Sequence, residues 1–414
     1  MLLRVARYFR ESYSGLSKPL WLLALVLLVN RCGSMALPFL ALYLTKQLGY
    51  SETSTGALLS VYGVGAIGGT YFGGRLVGRY GPIRVIIGSF LLSIPAYVLV
   101  PFCHSPMTIA GALLAWSLLA EAVRPAAMTA TTLLSPTSLH PKAMALNRLA
   151  VNLGMSIGPV VGGWLAGIDY RFLFWVNAAA AFVSGCLTWR FFAGNFGSVS
   201  CVSDTSGGDK ETSSTGTEKP WQDRTYVQFL VLNLVTGIVF FQLLSTFPMY
   251  LRERYGLQEF QIGSLMTLNT LVIVAFEMLL THFTRRFRAA NVLAVGVGLI
   301  GLGFALMPWG HSVIWACCSV LVWTLGEMLW GPYSATFAAS RSHNRNRGEY
   351  MGLYTMSFSV SHVVAPILGT SLYAVSPSLP WHMIGIVTLC LVPGYVMLGR
   401  LCRAERKREM SLEQ

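Results

Sequence analysis

Long apolar runs separated by short polar punctuation dominate the chain. They fall near 20–44, 55–77, 83–102, 107–133, 145–167 and 172–193, and again near 225–250, 260–283, 290–309, 312–338, 350–374 and 380–400. A helix needs roughly 20 apolar residues to cross a hydrocarbon core, so the pattern predicts twelve spanning helices in two sets of six. Between the sets, residues 195–223 are rich in Ser, Thr and Gly and read as a flexible linker. Ahead of the first run, Leu2, Leu3, Val5 and Phe9 alternate with Arg4, Arg7 and Arg10, which predicts a short interfacial helix over 1–18. The expected organisation is therefore 1–18, a six-helix bundle over 19–194, the linker, a second bundle over 224–401 and a tail over 402–414.

Composition supports a membrane chain. Only 11% of the 414 residues are charged, 54% are apolar and the mean hydropathy is +0.57, too little polar surface for a soluble protein of this size. The net charge of +13 is not read as nucleic-acid binding, because the basic residues lie between apolar spans. If the N-terminus is cytoplasmic, all but six of the 30 Lys and Arg fall in cytoplasmic segments or helix ends. The exceptions are Lys46, Arg171, Arg252 and Arg254 on the other side, with Arg31 and Arg124 inside spans. That bias predicts both termini inside, in the inner membrane of a cell. Eight cysteines scattered mostly through apolar runs give neither a disulfide framework nor a metal site.

The two sets repeat at an offset of 207. Tyr43-Leu44 meets Tyr250-Leu251, Gly49 meets Gly256 and Gly56 meets Gly263. Farther on, Arg79 meets Arg286, Pro125 meets Pro332, Pro159 meets Pro366 and Gly162 meets Gly369. Parallel repeats of six spans are the layout of a transporter that rocks two bundles about a central site.

Three stretches resemble the major facilitator superfamily, and within it the twelve-helix drug:proton antiporters. In the fifth span, Gly154-Met-Ser-Ile-Gly158-Pro159-Val-Val-Gly162-Gly163 is similar to the antiporter motif of that family. Glycines every four residues align on one face and admit a close neighbour, and Pro159 allows a bend beside it. After the second span, the run from Gly73 to Arg84 resembles the family's cytoplasmic loop motif through Gly74, Arg79, Gly81 and Arg84, with Gly78 at its usual acidic position. The resemblance implies that this latch is weaker here or built from other residues. The run from Asn30 to Leu44, with Arg124-Pro125-Ala126 and Ala145 to Asn152, is similar to bacterial drug-efflux members. The family implies an all-α membrane fold of two six-helix bundles related by a pseudo-two-fold axis along the membrane normal.

Charges inside spans carry the candidate chemistry, since each costs about 2.5–3.5 kcal/mol at mid-span on insertion scales. Arg31, Glu121, Arg124 and Glu327 fall on the first, fourth and tenth spans, which the resemblance implies are cavity-lining; Glu277 sits nearer an end of the eighth. Glu121 and Arg124 are three apart, so they either neutralise each other as a local pair or leave a positive surplus with Arg31. Desolvation favours the neutral form of a carboxyl group, a property that proton carriers need. Glu121, Glu327 and Glu277 are the candidate proton-coupling acids, and Arg31 and Arg124 candidates for tuning them or touching substrate. Trp116, Phe240, Phe241, Trp323, Trp330 and Tyr333 are candidates for apolar cavity walls. His282 and His362 read as packing or interfacial residues rather than titrating ones.

The favoured expectation is a secondary transporter, a monomer in the lipid bilayer without cofactor, exporting small amphipathic compounds in exchange for protons. A transporter of one anionic metabolite or siderophore is the alternative that Arg31 and Arg124 recommend. A membrane sensor or intramembrane enzyme is the alternative of another class. Neither a His-Glu-x-x-His run nor a Walker loop is present, and no sensor domain fits in the linker.

Overall fold

A computed structural model describes residues 15–136, 139–192, 220–341 and 347–412. Most of the expected interfacial helix and linker lie outside the described residues. The first half holds α1 (Lys18–Gly33), α2 (Ala36–Leu42), α3 (Glu52–Tyr80), α4 (Pro82–Leu99), α5 (Pro106–Glu121), α6 (Val123–Leu133), α7 (His140–Ala166) and α8 (Arg171–Phe192). The second holds α9 (Arg224–Phe240), α10 (Thr246–Glu253), α11 (Glu259–Thr284), α12 (Ala289–Ala305), α13 (Val313–Arg341), α14 (Arg347–Val375) and α15 (Leu379–Leu412). Among the described residues there is no strand, and the helices fall on the predicted runs.

Among the described residues, eleven helical stretches are long and apolar enough to cross a membrane. The second predicted span, α3, is long enough at 29 residues but falls short in hydropathy, because eight of those residues are glycine. Its glycines serve packing instead. A Cβ at Gly65, Gly69 or Gly73 would stand 1.9 Å from Ser117 Oγ, 2.3 Å from the Leu118 carbonyl and 2.7 Å from Ala122 Cα. Glycine every fourth residue lets α3 lie directly on α5.

Three predicted spans are broken helices. Between α1 and α2, the Met35 N–H donates to Asn177 Oδ1 at 3.0 Å, replacing the lost intrahelical acceptor. Between α9 and α10, Gln242 does comparable work. Its Nε2 donates to the Ile238 and Ala365 carbonyls, while Oε1 accepts from Ser245 and Thr246. Between α5 and α6 the interruption at Ala122 precedes Pro125, which has no N–H to return to the Glu121 carbonyl.

The 207 offset reappears as geometry. Gly49 and Gly256 both hold left-handed backbone, at φ +71° and +65°, where a side chain is strained. Each closes the same turn, Tyr50 N–H to the Leu44 carbonyl at 3.0 Å and Leu257 N–H to the Leu251 carbonyl at 3.1 Å. Likewise Gly162 packs on Met35, and Gly369 packs on Gln242, which is Met35 moved by the same offset.

The described residues form two compact units: up to 39 with 61–192, and 40–60 with 220 onward. The first is centred on apolar faces of α1, α4 and α6, around Leu23, Val26, Ile86, Phe90, Ala126 and Ala130. In the second, α12 and α13 meet through Gly296, Gly303 and Gly326. One end of the second unit is tied by charge. Arg341 at the end of α13 makes a bidentate pair with Asp223 (2.9 and 2.7 Å) and donates to Glu405 of α15 at 2.8 Å. Asp223, the last residue assigned to the linker, is the N-cap of α9, accepting from the Tyr226 N–H at 2.9 Å. Helix α15 also continues through the expected tail to Leu412, as its Ala, Glu, Lys and Arg residues favour.

Candidate functional site

In the first unit, the glycine face of α7 sets the position of Arg31. A Cβ at Gly154 would lie 2.5 Å from Arg31 Cβ, 2.9 Å from the Leu28 carbonyl and 3.0 Å from the Cys32 nitrogen; one at Gly158 would lie 3.3 Å from the Arg31 carbonyl. Gly162 faces Met35 and Phe39. Thus the motif glycines clasp α1 from Leu28 to its break, and Arg31 sits half-buried within that clasp. Pro159 is buried inside α7 beside the same face, as is Gly163. The spelling Gly154-Met-Ser156-Ile-Gly158 also fits the Gly-x-Ser-x-Gly pattern of a hydrolase nucleophile elbow, which requires a strand-to-helix turn. Ser156 is instead buried in mid-helix, its hydroxyl donating to the Leu153 carbonyl at 2.7 Å.

Glu121 is half-buried and Arg124 exposed, and among the described residues they form no ion pair. Ala122 between them keeps helical backbone, φ −66° and ψ −21°, so spacing alone does not make the pair. Tyr62 and Tyr97 are buried in the same unit. Those rings surround Trp116, with centroids 5.1 and 5.3 Å from it and Phe174 at 6.0 Å. Trp116 is only 2% exposed, so it braces the aromatic cluster from inside.

In the second unit, Gly326 packs against the backbone of α12, and the next residue, Glu327, turns toward α11. There Asn269 Nδ2 donates to Glu327 Oε2 at 2.8 Å and to Thr324 Oγ1 at 3.0 Å. Glu327 is half-buried. Asn269 is the residue that run-by-run reading missed; its only signal is an amide in the apolar stretch of the eighth span. Glu277 lies half-buried two turns farther along α11.

Phe240 and Phe241 are half-buried at the α9 break. Trp330 stands 5.6 Å from Phe240 and stacks on Phe358 at 5.1 Å, its indole N–H donating to Asn233 Oδ1 at 3.2 Å. Phe241 meets His362 at 4.6 Å. Trp323 is fully buried and stacked on Phe304, and Tyr333 is buried with its hydroxyl donating to Thr284. Of the five candidate wall residues in this unit, Phe240 and Phe241 are thus the accessible ones, with the tryptophans behind them. Phe358 and Asn233 were not singled out by sequence. His282 is exposed at the end of α11.

The loop motif forms the turn between α3 and α4. Gly81 has φ +81° and its N–H donates to the Val77 carbonyl at 2.9 Å, a conformation that favours glycine. Arg79 lies over the Tyr80 ring at 5.4 Å; Arg84 is exposed on the first turn of α4. A Cβ at Gly74 or Gly78 would meet nothing within 4 Å, so an acidic side chain would fit at 78 and its absence is not steric.

A family model described as Major Facilitator Superfamily matches residues 22–366. Among curated proteins, the chain is 23% identical over 374 residues to a Na(+), Li(+), K(+)/H(+) antiporter of Planococcus maritimus, covering 80% of this chain and 84% of that one. It is 21% identical over 384 residues to multidrug resistance protein MdtH of Proteus mirabilis, covering 90% and 91%. Among solved structures, a peptide transporter crystallised with sulfate superposes with a TM-score of 0.79 at 16% identity, covering 95% of this chain and 96% of that one.

Proposed function

The chain belongs to the Major Facilitator Superfamily and is a multi-pass membrane transporter, and on that premise we propose that it exports small amphipathic compounds in exchange for protons by alternating access. One observation carries the proton half of this reading: a half-buried carboxyl group, Glu327, in mid-helix with an amide donor, Asn269, at 2.8 Å. The amide stabilises the carboxylate when it is charged, while the apolar surroundings favour its neutral form. Protonation and deprotonation of this carboxyl group form the proton-carrying step of the reading. Antiport also agrees with the names of the relatives, one a cation/H+ antiporter and one a multidrug resistance protein. The half-buried Phe240 and Phe241 supply apolar contact surface for an amphipathic substrate. Glu121 and Glu277 are the further candidate acids. The reading includes twelve spans, both termini cytoplasmic, an inner-membrane location and a monomer.

The test is flux of a cationic dye into proteoliposomes under an imposed pH gradient. One proton moving down one pH unit supplies about 1.4 kcal/mol, enough for about tenfold accumulation of a neutral solute. Glu327→Gln is expected to abolish accumulation driven by the gradient while sparing substrate exchange at equal pH. Undiminished coupling in Glu327→Gln, Glu121→Gln and the double variant sinks the assignment.

A second reading, transport of a specific anion, is favoured by the exposed Arg124 and by the lack of an ion pair between Glu121 and either arginine among the described residues. Faster uptake of anionic than cationic solutes, lost in Arg124→Gln, would select it.

A further inference from the structure

An apolar groove of about 360 Å³ opens on the first unit where α3, α4 and α5 meet, within the roughly 300–1,000 Å³ span of small-ligand sites. Its two walls are helix faces read at every fourth residue. Phe72, Leu76 and Tyr80 come from α3, and Arg84, Gly88 and Leu92 from α4, with α5 as the floor. Tyr80 and Arg84 flank the Gly81 turn, so the polar mouth lies at the end of the spans. The walls then run about 12 Å inward, eight residues at about 1.5 Å each. Phe72 and Leu92 are 51% and 62% exposed. The space at the centre is made by Gly88, whose Cβ would meet nothing within 4 Å.

From Thr53 to Ala120 there is no Asp or Glu, while Arg75, Arg79 and Arg84 cluster around the turn, all exposed. Topogenic bias accounts for arginines beside a span, but it does not account for an open apolar channel running inward from one of them. A ligand that complements both features has an anionic head and a hydrocarbon tail, and basic pockets between spanning helices take such lipid head groups. We propose that this groove binds one anionic phospholipid, with an acyl chain along Gly88 and the phosphate at Arg84. The site is independent of the transport cargo and of the coupling acid.

The full-length protein in detergent, titrated with dioleoylphosphatidylglycerol or dioleoylphosphatidylcholine and followed by native mass spectrometry, tests it. One phosphatidylglycerol is expected to be retained with about fivefold or greater preference over phosphatidylcholine, the worth of one basic residue near an anionic surface. Arg84→Gln, a change at an exposed position, is expected to remove that preference. Gly88→Phe, whose Cβ would meet nothing within 4 Å, puts a ring in the groove and is expected to weaken both lipids. Inorganic phosphate is expected not to compete. Equal retention of the two lipids by the unaltered protein, an unchanged preference in Arg84→Gln, or displacement by millimolar phosphate would each overturn the proposal. Should Gly88→Phe unfold, the Arg84→Gln comparison alone decides.

Discussion

At the scale of single residues, the motif glycines of α7 are not equivalent. A methyl group at Gly154 would stand 2.5 Å from Arg31 Cβ and within 3.0 Å of two backbone atoms of α1, whereas at Gly158 the nearest atoms are carbonyls at 3.3 Å. Alanine in a helix gains about 0.8–1.0 kcal/mol over glycine, and overpacking costs about 1–3 kcal/mol. Gly158→Ala is therefore expected to be close to neutral in thermal unfolding. Gly154→Ala is expected to be destabilised and to lose transport, because α1 must move at Arg31. Equal losses at both positions would mean that the clasp on α1 is not what the motif provides. The glycine face was legible from spacing, but its partner was not, because nothing local in α7 points to Arg31. The Glu121–Arg124 spacing led the other way: it suggested a pair, which is not formed among the described residues.

Elements were legible where hydropathy decides them and obscure where packing does. The apolar runs became helices with ends shifted by a few residues. In contrast, the joint made by Asp223, Arg341 and Glu405 joins residues assigned to linker, loop and tail, which no periodicity connects. Its two halves differ in exposure: the Asp223 side chain is 6% exposed and Glu405 39%. Asp223 also caps α9; Asp223→Asn keeps a capping oxygen but breaks the bidentate pair. That change is expected to cost about 2–3 kcal/mol, the range of hydrogen bonds to charged groups. Glu405→Gln, at a solvated pair, is expected to cost under about 1 kcal/mol. Chemical unfolding of both variants in the same detergent measures the difference; equal costs would show that the joint does not depend on the buried carboxylate.

For the whole molecule, the repeat supplies a scaffold while the chemistry is unrepeated: moving Arg31 and Arg124 by 207 gives Ile238 and Gly331. The number of crossings then rests on α3. Eleven apolar stretches are an odd number and would put the two termini on opposite faces of the membrane; twelve put them on the same face. At 29 residues, α3 is about 43 Å long, more than the roughly 30 Å hydrocarbon core. Its low hydropathy comes from glycines that bury its backbone against α5, so we propose that α3 crosses too, with tertiary packing in place of side-chain apolarity. The arginines at the α3–α4 turn and those of α15 then fall on one side, as the charge bias requires. A fluorescent protein that folds only in the cytoplasm, fused in turn to each terminus, is expected to glow at both. An alkaline phosphatase, active only outside, is expected to be silent at both termini and active at Cys103–Ser105 between α4 and α5. A signal at one terminus alone would count α3 out of the membrane and leave its glycine face without this explanation.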